Sequence, residues 1–110
     1  MRKWFQKFSP AFREQVRKEK EQAAFSNFTK VPLPNIIEVR FYKRDELTTD
    51  LICCEADTNE KTWFFHEEMV IWDDLLKYLQ ELDGFDEDWF SKVAFPVFEL
   101  SLHVAFRRTK

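Results

Sequence analysis

His66, Glu67 and Glu68 are adjacent in the sequence and form its first candidate cluster for metal or acid–base chemistry. A histidine followed by a glutamate also opens the HExxH zinc motif, in which two histidines one helical turn apart bind the metal. The second histidine of that motif is missing here, and the other histidine of the chain is His103. No Cys-x-x-Cys pair is present to complete a zinc site. We therefore predict no metal site, and a small enzyme built around His66 and Glu67 stays as an alternative.

Cys53 and Cys54 are the second candidates, because a thiolate is a strong nucleophile. A thiol becomes catalytic only when a nearby base or cation activates it, and the sequence does not place one there. Neighbouring strand residues point to opposite faces, so a disulfide between these two would need a strained turn. We interpret both as small apolar side chains in the interior of a protein from a reducing cytoplasm.

The acidic stretch Ile71–Phe90 is the third candidate, with seven carboxylates and one lysine, Lys77. Paired carboxylates can hydrolyse glycosidic bonds, but neighbours on a helix diverge by about 100° and do not converge on one substrate. The chain has one glycine, which argues against a glycine-rich nucleotide loop. We therefore predict no catalytic residue and no cofactor.

Charge is divided unevenly along the chain. Residues 1–30 hold eight basic and three acidic residues, whereas residues 45–88 hold fifteen acids against Lys61 and Lys77. Such an asymmetry indicates a cationic partner, although many charge runs are only solvated surfaces. Aromatic rings among the acids are typical of interface anchors. The predicted contact residues are Asp73, Asp74, Glu81, Asp83, Glu87 and Asp88, with Tyr78 and Phe85 as the aromatic anchors.

The basic segment of residues 1–30 has aromatic residues between its cations, as single-strand nucleic-acid binders do. A nucleic-acid-binding regulator is therefore a second alternative, although the acidic remainder of the chain would repel phosphates. The simpler interpretation is that this helix packs on the acidic body of its own chain. Its expected apolar face is thin and includes Phe5, Phe8, Phe12, Val16 and Ala23.

The elements that must position these residues follow from the hydrophobic periodicity and from the glycine and proline residues. Ser9 and Pro10 predict a helix start, and the two prolines at residues 32 and 34 lie in a connector that begins after Ala24. The expected elements are a helix over residues 10–24, strands over 36–42, 50–56 and 61–67, a helix from residue 72 to 82, a short helix over 87–94, and a strand over 97–107. The order α-β-β-β-α-α-β predicts one α+β domain over residues 1–110, a mostly antiparallel four-stranded sheet packed with helices, whose core region spans residues 36–108.

Several side chains of the last three elements have expected positions. Gly84 is expected to end the first helix, and Asp86 to cap the second. Expected core residues of the two helices are Trp72, Leu75, Leu76, Leu79, Leu82, Trp89 and Phe90. In the last strand, Phe98, Leu100, Leu102, Val104 and Phe106 are expected to face inward, and Glu99, Ser101, His103 and Arg107 outward.

The segment MRKWFQKFSPAF lacks the apolar run of a signal peptide, and no stretch approaches the length of a membrane span. These features predict a cytoplasmic protein without a membrane partner.

Three segments together resemble a family of small bacterial proteins. They read RFYKRDELTTDLICCE, FFHEEMVIWDDLLKYL and GFDEDWFSKVAFPVF, and a final VAFRR follows them. The chain is similar over residues 36–108 to immunity proteins of polymorphic and contact-dependent growth-inhibition toxin systems. The resemblance implies a non-enzymatic protein that binds and neutralises a cognate toxin domain, often a nuclease. Because nuclease sites hold phosphates and are cationic, an acidic surface suits such a partner.

Overall fold

The computed structural model describes residues 9–45, 49–95 and 102–109. The elements, in chain order, are helix α1 (Pro10–Thr29), a 3-10 turn (Leu33–Asn35), strands β1 (Ile36–Asp45), β2 (Asp50–Thr58) and β3 (Thr62–His66), helices α2 (Trp72–Leu79) and α3 (Trp89–Ala94), and strand β4 (Leu102–Arg107). The four strands form one sheet in the order β3-β2-β1-β4, and every neighbouring pair is antiparallel. The predicted α+β class and the order α-β-β-β-α-α-β are confirmed.

Helix α1 begins where the sequence predicts, because the Ser9 hydroxyl accepts the Phe12 N–H at 3.1 Å. It continues to Thr29, five residues beyond the expected end. Residues 25–29 contain no proline or glycine that would end the helix. The helical conformation of this segment places the Phe28 ring in the core, where it is fully buried. The expected end was therefore wrong.

The N-terminal half of α1 makes few contacts with the rest of the fold. Residues 10–20 are exposed except for the half-buried Val16, and Phe12 and Ala23 are exposed too, so the expected apolar face of α1 is wrong. Phe5 and Phe8 lie outside the described residues. The helix docks instead through its C-terminal half, where Phe25 and Phe28 meet Tyr78 of α2. Glu21 is buried there, and its carboxylate accepts the Val70 N–H at 2.8 Å.

One face of the sheet carries the helices and the core. Phe41 of β1 is its central ring: it stacks on Trp89 of α3 at 3.7 Å between centroids, with 11° between the planes. Phe28 fills the other end of the core against Trp63 and Phe65 of β3. The expected core residues Leu75, Leu79 and Leu82 are buried, while Trp72 and Leu76 are partly buried against the core. We call the opposite side of the sheet the outer face.

The two short helices start and end at different residues from those expected. Helix α2 ends at Leu79, with Gln80 as its C-cap, so Gly84 is not its C′ residue. Gly84 instead occupies a later turn with φ of 89°, a conformation that glycine adopts without strain. Helix α3 starts at Trp89, after Asp88. Asp86 does not cap it, because the N-cap position is Asp88. The Asp86 carboxylate accepts the Asp88 N–H at 2.9 Å in the turn that precedes the helix.

Strand β4 departs from simple alternation. Val39 pairs with Phe106 but the next residue, Arg40, pairs with Val104, so Ala105 is an extra residue in the ladder. This bulge keeps Ala105 and Phe106 buried but reverses the faces of the residues before it. Leu102 is 63% exposed, so its expected inward orientation is wrong. His103, expected to face outward, shares the helix side with its partner Phe41.

Val104 pairs with Arg40 on the outer face, so its expected inward orientation is also wrong. The expected positions of Phe98, Leu100, Glu99 and Ser101 lie outside the described residues.

Candidate functional site

The acids of α2 and α3 are brought together by aromatic packing beneath them. Trp72 begins α2 and Trp89 begins α3, and their ring centroids lie 6.3 Å apart. Both rings also contact Phe41 of the sheet, at 6.2 Å for Trp72 and 3.7 Å for Trp89. The starts of the two helices are therefore fixed side by side on the core.

Four exposed carboxylates belong to these helix starts. Asp73 and Asp74 occupy the first turn of α2, where the positive end of the helix dipole stabilises carboxylates. Glu87 and Asp88 immediately precede α3. We call Asp73, Asp74, Glu87 and Asp88 the acidic ridge.

Glu81 and Asp83 are exposed too, but they follow the opposite end of α2. Tyr78 at that end is half-buried, and its hydroxyl donates to the carbonyl oxygen of Val31 at 3.2 Å. Burial and the nearby Glu81 carboxylate raise the pKa of Tyr78. The structure thus divides the predicted contact residues into two groups at the two ends of α2.

The aromatic residues of the stretch are arranged differently from the prediction. Phe85 is only 8% exposed and packs on Phe41 at 6.2 Å, so it cannot present its ring to a partner. Phe90, expected in the core, is 51% exposed and lies beside Trp89 with ring centroids 5.7 Å apart. The apolar group next to the acidic ridge is therefore Phe90. The helical periodicity alone could not show that Trp89 is buried and Phe90 exposed, because it does not tell which face of the helix packs on the sheet.

The ridge carboxylates lie outside the ion pairs of the described residues. Among the described residues, no ion pair involves any of Asp73, Asp74, Glu81, Asp83, Glu87 or Asp88. Residues 67–90 hold nine carboxylates and one lysine, giving a formal charge of −8. Like charges at this density repel one another, so they weaken the fold unless a cation binds.

Asp86 is the exception within this stretch. Its Oδ2 atom lies 2.6 Å from Lys92 Nζ and 2.8 Å from His103 Nε2. The pKa of Asp86 is lowered to about 2 by three hydrogen bonds to its carboxylate. The largest effect comes from Lys92, followed by the Asp88 N–H and His103. Asp86 therefore ties the loop before α3 to β4, and we assign it no contact with a partner.

The cluster around His66 is engaged in local structure. The Nδ1 atom of His66 faces the Glu68 N–H at 3.3 Å, and Oε1 of Glu67 accepts the Ile52 N–H at 2.9 Å. A groove of about 260 Å³ lies between the β2–β3 hairpin and the end of α1, and none of His66, Glu67 or the two cysteines lines it. Among the described residues, no group of three histidine, cysteine or acidic side chains is arranged to hold a metal ion.

The two cysteines are both fully buried, and they are not joined to each other by a disulfide. Cys53 is paired across the strands with His66, but its Sγ atom lies 3.8 Å from the carbonyl oxygen of Leu51, to which it donates. Burial raises the pKa of the Cys54 thiol far above its usual value, which suppresses the reactive thiolate.

We expect neither cysteine of the folded protein to react with a thiol reagent such as DTNB near pH 8, because the reagent cannot reach a buried thiol. Both should react promptly in concentrated guanidinium chloride, which is the internal control. The absorbance of released thionitrobenzoate measures this. Rapid labelling of one thiol per folded chain would show that a cysteine is reactive, and it would support the alternative that the protein is an enzyme.

The outer face of the sheet carries a charge cluster that the sequence did not reveal. Arg40 lies at its centre, with a guanidinium nitrogen 2.7 Å from Glu55, another 2.7 Å from Asp57, and Glu38 at 3.0 Å. These contacts join β1 to β2, and Arg107 extends them to β4 by bonding Glu38 at 2.9 Å. Hydrogen bonds from Arg40 and then Thr62 lower the pKa of Asp57. Two guanidinium groups thus bond three carboxylates across three strands, which suits a structural role.

The described part of the basic helix forms its ion pairs internally. These pairs join Arg17 and Lys18 to Glu14, and Arg17 to Glu21. Arg13 and Lys20 are exposed. The described part of α1 therefore packs through Phe25, Phe28 and Glu21 and not through complementary charge.

The described residues thus define a two-layer α+β protein with an acidic ridge above its core. Comparison with models of known families, with curated proteins and with solved structures found no match. No helix in the described part of the chain is both long and apolar enough to cross a bilayer.

Proposed function

We propose that this chain is a non-enzymatic immunity protein that binds a basic, nuclease-type toxin domain in the cytoplasm through the acidic ridge. The observation that carries the proposal is the set of unpaired carboxylates of Asp73, Asp74, Glu87 and Asp88 beside the exposed ring of Phe90. The resemblance that the sequence segments of residues 36–108 bear to immunity proteins implies the same kind of partner.

The charge of the ridge suits a cationic partner for a physical reason. An uncompensated acidic surface accelerates encounter with a basic protein, and it suppresses association with other acidic surfaces. A phosphate-binding cleft offers several cations close together, so carboxylates on neighbouring helix starts can replace phosphates there. Phe90 supplies apolar contact area that charge alone does not give.

The rigid aromatic packing under the ridge supports binding as well. Trp72 and Trp89 fix the two helix starts before a partner arrives, which lowers the entropy cost of association. Glu81 and Asp83 lie at the other end of α2, so in this proposal they contribute to long-range attraction more than to direct contact.

The test is a quadruple variant that carries Asp73→Asn, Asp74→Asn, Glu87→Gln and Asp88→Asn. The partner to be tested is a toxin domain sought in the reading frames next to this gene and used in a catalytically inactive form. Binding of the variant to it should weaken at least about tenfold, mainly through a slower association rate. The wild-type association rate should fall steeply with salt, and that of the variant should fall less. Surface plasmon resonance at several salt concentrations measures both.

A matched control removes the same number of charges elsewhere, with Glu60→Gln, Glu68→Gln, Glu81→Gln and Asp83→Asn. All four side chains are exposed. The control should weaken binding much less than the ridge variant does, because Glu81 and Asp83 contribute only long-range attraction. Equal weakening in both variants would show that net charge and not the ridge governs binding. Unchanged binding in the ridge variant would refute the charge mechanism.

A further inference from the structure

Among the described strands, β3 forms one edge of the sheet, because the strand order is β3-β2-β1-β4. Its five residues, Thr62–His66, contain no lysine, arginine, aspartate or glutamate. Phe64 at its centre is 41% exposed. Natural proteins usually protect an edge strand with charges, prolines or bulges, because its unpaired backbone groups can bind another strand.

The register shows which backbone groups of β3 point away from the sheet. Thr58 donates its N–H to Lys61, and Glu67 donates its N–H to Ile52, so both ends of the β2–β3 ladder are hydrogen-bonded pairs. Such pairs alternate along an antiparallel ladder. The pairs Ala56–Trp63 and Cys54–Phe65 are therefore bonded as well.

It follows that the backbone groups of Thr62, Phe64 and His66 point to the free edge. Of these, the His66 carbonyl already accepts the Met69 N–H at 3.0 Å, and a carbonyl oxygen can accept a second bond. The ladder between β2 and β3 contains no bulge. The edge is therefore straight and ready to pair.

The opposite edge of the sheet is protected. Strand β4 contains the bulge at Ala105, which interrupts regular pairing. Arg107 and Arg108 follow at its end, and Arg108 bonds back to the carbonyls of Ile36 and Leu33. In the described part of the sheet, only the β3 edge lacks these devices.

The sequence of the β3 edge is complementary to itself in the antiparallel direction. When two copies align with Phe64 opposite Phe64, Thr62 lies opposite His66 and Lys61 lies opposite Glu67. Lys61 and Glu67 both belong to the hydrogen-bonded ladder positions and are exposed. Within one chain Lys61 Nζ lies 3.8 Å from the centroid of the Trp63 ring, and Glu67 uses Oε1 to accept the Ile52 N–H, so Oε2 is the oxygen that would meet a lysine of a second copy. Opposite charges in cross-strand positions are stabilising.

We propose that two copies of this chain pair through β3 in this register and form a continuous eight-stranded sheet. The two-fold axis passes between the Phe64 residues, which bond each other through their backbones and place their rings side by side on the outer face. Two Lys61–Glu67 pairs close the ends of the interface. This inference does not depend on the proposed toxin partner.

The position of the acidic ridge is compatible with such a dimer. The Asp86 N–H bonds the Ala105 carbonyl of β4 at 2.8 Å, so the loop leading to α3 lies at the far edge of the sheet from β3. Each copy would therefore carry its ridge at an outer end of the dimer.

Sedimentation equilibrium of the wild-type chain over roughly 10–500 µM should reveal a monomer–dimer equilibrium, as expected for a small interface. Lys61→Glu places two glutamates opposite each other at both ends and should weaken the dimer about tenfold. Glu67→Lys should do the same with two lysines. An equimolar mixture of the two variants should regain the dimer, because each end again joins a glutamate to a lysine.

Phe64→Pro provides a second test that does not depend on charge. Proline has no N–H, and the N–H of residue 64 faces away from β2, so the fold should survive while the dimer is lost. Circular dichroism of each variant checks the fold. A wild-type chain that stays monomeric over the whole range overturns the proposal. A dimer that persists in both Lys61→Glu and Phe64→Pro overturns the assigned interface.

Discussion

Replacing Phe41 by alanine is expected to lower the free energy of unfolding by about 3–5 kcal/mol, as for other buried phenylalanines. The Phe41 ring is fully buried and joins three parts of the fold: it stacks on Trp89 of α3 and contacts Trp72 of α2 and Phe85 of the intervening loop. The alanine variant would leave a cavity under both helix starts. Urea unfolding followed by tryptophan fluorescence measures the loss.

Phe95→Ala is the matched control, because it removes the same ring from an exposed position. Its free energy of unfolding should change by less than about 0.5 kcal/mol. A Phe41→Ala variant as stable as this control would show that the helices do not rest on Phe41. Because the same ring supports the acidic ridge, Phe41→Ala should also weaken binding to the proposed toxin partner even where the variant is folded.

Replacing Arg40 by methionine should cost about 2–4 kcal/mol near pH 7, since one guanidinium group bonds all three carboxylates of the outer-face cluster. The Arg40 side chain is 19% exposed, and methionine keeps most of its apolar length. Without the guanidinium, Glu38, Glu55 and Asp57 would face one another across β1 and β2. Chemical unfolding at several pH values measures the cost.

The deficit of Arg40→Met should shrink as the pH falls. Arg40 holds the pKa of Asp57 below its usual value in the folded protein, so this contribution is complete above the unfolded pKa of about 3.9. It is lost in the wild type as the pH falls through the lowered pKa. In the variant the contribution is absent and protonation relieves repulsion, so the two proteins approach each other in stability below about pH 4.

Arg107→Met is the control for the Arg40 variant, because Arg107 is 65% exposed and makes one bond to Glu38. Exposed ion pairs contribute about 0–1 kcal/mol. A pH-independent deficit in Arg40→Met would indicate that lost packing, and not charge, explains its cost.

Much of the fold could be predicted because local periodicity determined the elements. The spacing of Leu75, Leu79 and Leu82 identified one buried face, and the apolar run of β2 identified a central strand, which the structure confirms. The ends of the helices were harder to predict from the sequence. Whether α1 continues past Ala24 depends on the burial of Phe28, which only tertiary contacts provide.

The bulge of β4 explains the largest error in side-chain orientation. A single extra residue, Ala105, reverses the side on which Leu102, His103 and Val104 lie. No local feature of the sequence marks this position, because apolar residues occupy positions that point to both faces of the strand. The bulge is a property of pairing with β1.

The candidate site was predictable in composition but not in arrangement. The excess of acids between residues 67 and 90 is visible in the sequence, but their separation into a ridge and a second group depends on where α2 ends. The Arg40 cluster could not be predicted, since it needs the register that places Arg40 opposite Glu55. Phe85 is buried and Phe90 is exposed, the reverse of the prediction, because the tertiary packing of the helices and not the local sequence determines which ring faces the core.

Glu21 divides helix α1 into two parts with different constraints on sequence change. Its buried carboxylate joins Arg17 to the loop at Val70, and the residues after it pack on the core. Residues 10–20 carry no comparable tertiary contact, so selection on folding acts weakly on most of their surface. This part of the helix can therefore accept new sequences at little cost, which makes it a suitable place to attach a label or graft a binding epitope.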